Sequence, residues 1–147
     1  QEVLSRSPVA TSATLTAAAR ALLDAYAGPL LGTAEDPWLA KPRDALRARF
    51  VRTLLQLGEA LEAAGAWQDA IDVYRRGLEA DNLAEPFYRG LMRSLAATGN
   101  HADALGAYRR CRELLSVVLG MKPSAETEAL QRRLAAAAAG RGDPSPR

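Results

Sequence analysis

The sequence predicts an all-α protein, a right-handed superhelical array of about six antiparallel helices stacked as hairpins. Three observations carry this. Alanine, arginine and leucine dominate, residues that lose little side-chain freedom in a helical turn, while aromatics make up only 5% of the chain. Apolar residues recur at spacings of three and four rather than in alternation. A block of matched residues also repeats after 34 positions, from Val51–Glu79 to Glu85–Glu113.

Taken in order, residues 1–12 (QEVLSRSPVATS) are polar and aperiodic and read as a linker or the edge of a preceding domain. From Ala13 to Ala27, Leu15, Ala18, Ala19, Leu22, Leu23 and Tyr26 form one helical face, which Gly28-Pro29 ends. Asp36-Pro37 reads as an N-cap and first-turn proline of a second helix that runs to Ala64 through Leu46, Phe50, Leu54, Leu57 and Leu61. Pro42 leaves two options open: the helix bends there, or its regular part starts there. After Gly65 a third helix covers Trp67–Ala80. Asn82 with Glu85 suggests a capping-box variant at the start of the fourth, which ends near Gly99. Asn100 is placed to cap the fifth, closed by Leu119-Gly120, and Pro123-Ser124 opens a sixth reaching Ala139. Residues 140–147 (GRGDPSPR) read as a disordered tail, so the helical domain spans 13–139. A start at Gln1 rather than methionine suggests a piece of a longer polypeptide.

The repeat explains its own residue types. Leu57 falls on Leu91, Leu61 on Leu95, Gly65 on Gly99, Ala70 on Ala104 and Tyr74 on Tyr108. The leucines supply the inner stripe of each first helix. The glycines permit the tight turn, the alanines allow close helix approach, and the tyrosines fill the gap to the next hairpin. One hairpin cannot bury its apolar face alone, so stacking is obligatory. This period and pattern are those of the tetratricopeptide repeat, with Leu130 and Leu134 on the last helix in register to form a cap.

Chemistry-bearing constellations are scarce. The 19 basic and 17 acidic residues leave a net charge of +2, too balanced for a stand-alone nucleic-acid binder. The single cysteine, Cys111, excludes an internal disulfide and suits the cytoplasm. It occupies the position of Gly77 in the other repeat, where a small packing residue is expected. His101 has no second histidine or cysteine cluster beside it. No nucleophile–base–acid pattern or phosphate loop is visible, and no run approaches a membrane span. The reading is therefore of a non-enzyme without metal or cofactor, acting away from membranes. Trp38 and Trp67 stand at helix entries and read as packing residues.

Two arginine groups are the candidate binding features. Arg75, Arg76, Arg109 and Arg110 recur in register on the outer side of the second helices. They form either a solvated face, with Arg75–Glu79 and Arg109–Glu113 paired one turn apart, or a basic docking stripe. Arg52, Glu59, Glu62, Arg89 and Arg93 fall on the first helices, lining the concave side of the array. Such grooves take peptides, and Arg89 with Arg93, one turn apart, suit an acidic segment or a carboxylate. Plain solvation is the alternative.

Residues outside the repeats narrow the reading. Tyr26-Ala27-Gly28-Pro29-Leu30-Leu31, then Asp36-Pro37-Trp38 and the arginine-studded helix through Phe50, resemble the start of the bacterial transcriptional activator domain. Ala107-Tyr108-Arg109-Arg110-Cys111-Arg112, Leu119-Gly120 and Pro123-Ser124-Ala125-Glu126-Thr127 resemble its end. The resemblance covers about residues 13–135. Pro42 departs from it, in a helix that usually lacks proline. In that family, as in the antibiotic regulatory protein family of actinobacteria, the module follows a winged-helix DNA-binding domain or sits within larger signal-responsive regulators. The resemblance implies transcriptional control through a protein partner or the regulator's own other domains, with a homodimer as one option. DNA binding would lie in a part of the polypeptide outside these residues. A generic repeat scaffold unrelated to transcription is the alternative, and direct sequence-specific DNA binding by this segment is disfavoured.

Overall fold

The computed structural model describes residues 37–141, together with the isolated helical positions Ala17 and Ala21. The helix expected over 13–27, the 1–12 segment and residues 142–147 therefore lie wholly or largely outside the described residues. Among those described there are five α-helices and no strand. They are α1 (Pro37–Ala63), α2 (Trp67–Ala80), α3 (Glu85–Ala97), α4 (His101–Leu114) and α5 (Ala125–Arg141), with a π-helical turn, Leu115–Leu119, continuing α4. The helix α1 is unbroken through Pro42, so its regular part does not begin there; α5 runs two residues past the expected Ala139.

Short connections make neighbouring helices antiparallel, and α1–α2 and α3–α4 form two stacked hairpins with α5 packed on the second. The two hairpin turns are copies of each other. Gly65 (φ 76°) and Gly99 (φ 88°) take the left-handed backbone region, which a Cβ would strain. In one, Gly65 N–H donates to Glu62 O at 3.0 Å and Ala66 N–H to Leu61 O at 2.9 Å. In the other, Gly99 N–H donates to Ala96 O at 3.0 Å and Asn100 N–H to Leu95 O at 2.8 Å. These are Schellman turns, which satisfy the last carbonyls of a helix. The turn at Gly120 differs: Met121 N–H reaches Leu115 O at 3.1 Å, one residue further back, because it closes a π-turn.

The repeat positions form the core. Leu61, Ala70, Tyr74, Leu91, Leu95, Ala104 and Tyr108 are buried with Phe50, Leu54, Ile71, Met92 and Leu130; Leu57 packs against them half-buried. Tyr74 occupies a slot between two hairpins. A Cβ on Gly58 would stand 2.4 Å from its ring and one on Gly90 2.3 Å. Gly77 is similarly filled by the Phe87 ring, 2.5 Å from where its Cβ would be. Its counterpart Cys111 is fully buried in a smaller cluster with Tyr88 and Leu115. Burial pushes the Cys111 thiol up to about 12, in keeping with a packing residue. Trp67 is half-buried at the start of α2.

Two expected caps are replaced. No side chain caps α4: the Asn100 amide donates instead to Thr98 Oγ1 at 3.2 Å. The N-cap of α3 is Ala84, not Asn82. Here Asp81 Oδ1 accepts from Leu83 N–H at 3.1 Å, the Asn82 carbonyl accepts from Tyr88 Oη at 2.8 Å, and Glu85 turns away toward α5. At α5 the expected opening holds, with Thr127 N–H donating to Ser124 Oγ at 3.4 Å.

Candidate functional site

The first helices and the second helices make two unlike faces. Helix α1 touches α3, and α3 touches α5, whereas α2 and α4 make at most marginal direct contact. The stack is therefore closed along the first helices and splayed along the second.

On the closed face Arg93 lies against Glu62, its Nε and Nη2 each 3.0 Å from a carboxylate oxygen. The Tyr74 hydroxyl donates to the same carboxylate. Burial first, then this hydrogen bond, raises the Tyr74 pKa well above its usual value. The triad joins α1, α2 and α3. The Glu62 side chain is only 12% exposed while Arg93 is 40% exposed, so one edge of the guanidinium faces solvent.

Arg89 belongs to a second network between the starts of α3 and α5. Its Nη1 donates to Thr127 Oγ1 at 3.0 Å and Ser124 Oγ at 3.4 Å, and it lies 3.7 Å from Glu85 and 3.5 Å from Glu126. Glu85 accepts from the buried Thr127 hydroxyl at 2.6 Å and from Ser124 N–H at 3.0 Å. Burial alone would raise the Glu85 carboxyl. The Thr127 and Ser124 hydrogen bonds, with the Arg89 charge, outweigh it and hold the group below its ordinary value. Arg52 and Glu59 are exposed on the same array and join neither network.

The splayed face carries the other arginines. Arg75, Arg109 and Arg110 are exposed and have no carboxylate partner among the described residues. The expected Arg75–Glu79 pair is not formed; Arg76, one residue on, takes Glu79 at 3.1 Å. No ion pair joins Arg109 to Glu113 among the described residues. Between α2 and α4 runs an open groove of about 870 Å³, with Arg75, Arg109 and Arg110 along its rims and Leu91 and Leu95 beneath.

Three features escaped the sequence reading. One is the Glu85–Thr127–Ser124–Arg89 network. Another is the π-turn, which leaves Val117, Val118, Leu119 and Met121 exposed. The third is a hollow of about 480 Å³ beside it, between Tyr108, Arg112, Lys122 and Glu128. The Tyr108 hydroxyl donates to Glu128 at 2.5 Å. Among the described residues no group of three metal-ligating side chains converges, and no helix is long and apolar enough to cross a membrane.

Paired hairpins, a 34-residue register and matched glycine turns define a helical-repeat module of the tetratricopeptide type. Its family is equally plain. The bacterial transcriptional activator domain model matches residues 4–135, and the chain belongs to that family, one of transcription-regulatory domains. No curated protein and no solved structure matches the chain.

Proposed function

We propose that this chain is the regulatory protein–protein contact and self-association module of a bacterial transcription regulator working in the cytoplasm, with DNA recognition carried by another part of the polypeptide. The observation that supports it best is family membership across 132 positions, 4–135, of which 37–135 are described as a stacked helical array. Such arrays present long, rigid, side-chain-rich faces suited to binding other proteins. On the closed face, Arg52, Glu59, Glu62, Arg89 and Arg93 form one candidate contact surface. An acidic ligand there would compete with Glu62 for Arg93 and with Glu85 and Glu126 for Arg89.

The test compares the complete regulator, the regulator lacking residues 37–141, and the 147-residue chain alone. The deletion is expected to abolish reporter activation while leaving promoter retention in a gel shift, and the chain alone to retain no promoter DNA. Sequence-specific retention by the chain alone, or full activation by the deletion, refutes the reading.

A further inference from the structure

The cations of the two faces differ in how they are satisfied. On the closed face Arg93 and Arg89 already lie against carboxylates of the chain itself. Across the splayed face, three exposed guanidiniums on two helices line one groove with no carboxylate partner among the described residues. At its base lie Leu91 and Leu95 of α3, 7% and 3% exposed, and its walls carry the half-buried Leu78 of α2 and Leu114 of α4.

We propose that the groove between α2 and α4 docks an acidic amphipathic helix of a protein partner. Carboxylates of that helix would meet Arg75, Arg109 and Arg110, and its apolar side would rest against Leu78 and Leu114 above the base formed by Leu91 and Leu95. The inference deepens the protein-contact reading above and rests on it.

Geometry selects a helix. The walls α2 and α4 have 14 residues each, roughly 21 Å at the helical rise, and both run antiparallel to α3 beneath them. A helix laid in this trough brings its own backbone hydrogen bonds and meets ridges spaced for helix packing. An extended segment would find no strand edge to satisfy its amides. Charge selects the acidic partner. Of the two acidic residues lining it, Glu79 is taken by Arg76, and Asp103 sits in the first turn of α4, where the helix dipole favours a carboxylate; the arginines still outnumber them. Nucleic acid fits less well, because phosphates gain nothing from leucine side chains and the chain's net charge is only +2.

The experiment uses the 147-residue chain and two synthetic helical peptides. One carries leucines at i, i+3, i+4 and i+7 flanked by glutamates; its twin has glutamine at each glutamate. A short duplex DNA is the third probe. Binding is followed by fluorescence anisotropy and by amide shift mapping. The glutamate peptide is expected to bind in a salt-sensitive way, to shift amides of Leu78, Gly106 and Ala107, and to lose about tenfold or more in affinity on R75E/R109E/R110E. R132E, on α5 and away from the groove lining, should leave it unchanged. Equal binding of the glutamine twin, shifts confined to α1 and the exposed face of α3, tighter binding of DNA to the same residues, or indifference to the triple reversal overturns the proposal. Should the triple reversal fail to melt cooperatively, R75Q/R109Q/R110Q serves with the same expected direction.

The same triple variant in the complete regulator separates this proposal from the reading beneath it. Peptide binding lost with reporter activation intact keeps the docking site and removes its regulatory role. Absent peptide binding, with activation still dependent on residues 37–141, removes the docking site and keeps the regulatory module.

Discussion

Replacing Gly90 by alanine should destabilise the protein, although the same change on an exposed helix normally stabilises it. Alanine gains about 1 kcal/mol over glycine in a helix interior, and Gly90 lies in the middle of α3. Its new Cβ, however, would stand 2.3 Å from Cζ of Tyr74, about 1 Å inside ordinary contact. The ring has nowhere to retreat. Gly58 presses from the other side, and the hydroxyl is tied to Glu62, itself gripped by Arg93. Overpacking costs typically 1–3 kcal/mol, and breaking the hydroxyl's bond to a nearly buried carboxylate adds about 1.5–3 kcal/mol. Less the propensity gain, the net loss is about 1.5–5 kcal/mol. For a domain of this size that lowers Tm by roughly 6–20 °C. Urea and thermal melts followed by far-UV circular dichroism measure it. The control is Gly106→Ala in α4, where the nearest atom to the new Cβ is a mobile Arg109 Nη2 at 3.7 Å; stability there should rise by up to about 1 kcal/mol. Adding Tyr74→Leu to Gly90→Ala should cost less than the sum of the two single changes. A Gly90→Ala protein as stable as its parent refutes the close packing on which the hairpin stack is built.

Other perturbations probe the two polar networks and the thiol. Thr127→Val removes a hydroxyl that donates to Glu85 and accepts from Arg89, and should cost about 1–3 kcal/mol. Native-state hydrogen exchange should show α5 opening first, and unchanged protection there would contradict the assigned role. The depressed Glu85 carboxyl stabilises the fold above its ordinary value of 4.5, and that contribution should disappear as pH falls through the lower folded value. Melts across acid pH check it, with a shallower slope expected for Thr127→Val. A double-mutant cycle on Glu62 and Arg93 should return roughly 1 kcal/mol of coupling, discounted because Arg93 is two-fifths exposed. The same cycle on the surface pair Arg76–Glu79 should return less than about 0.5 kcal/mol, and equal values would argue against the triad. Cys111, with its thiol pushed up to about 12, should react with a thiol reagent at neutral pH only as fast as the protein unfolds. Its protonated form stabilises the fold below the ordinary thiol value of 9.0, a contribution lost as pH climbs toward 12; prompt labelling of folded protein would show an accessible thiolate.

Local and periodic signals were legible in the sequence. The bounds of α2, Trp67–Ala80, coincide with the structure, and the 34-residue spacing located both glycine turns and the buried alanine and tyrosine pairs. These depend on short-range geometry that repeats. What depended on distance was not legible. Glu85 has a capping pattern within its own segment, yet its carboxylate goes to Ser124 and Thr127, 39 and 42 residues away, because α5 arrives beside it. Glu62 and Arg93 were both placed on the concave side, but nothing within either helix shows that they meet 31 residues apart. In the sequence the arginine runs form uniform stripes, whereas the structure distinguishes Arg76, paired, from Arg75, Arg109 and Arg110, which line the groove. The π-turn carries no residue signature, so the exposure of Val117 to Leu119 could not be inferred from an apolar run.

That π-turn also offsets the repeat. Its five residues shift the next leucine pair from 34 to 39 positions, Leu91 and Leu95 being answered by Leu130 and Leu134. At that offset α5 holds the exposed Glu126 and Arg133 where α3 has the buried Phe87 and Ser94. Phe87 fills the space beside Gly77 of α2, whereas Glu126 lies 3.5 Å from Arg89. The leucine stripe of the repeat is thus carried into α5 while its aromatic packing is not, and what an apolar ring does between the hairpins is done there by an ion pair to an exposed carboxylate, which salt would weaken.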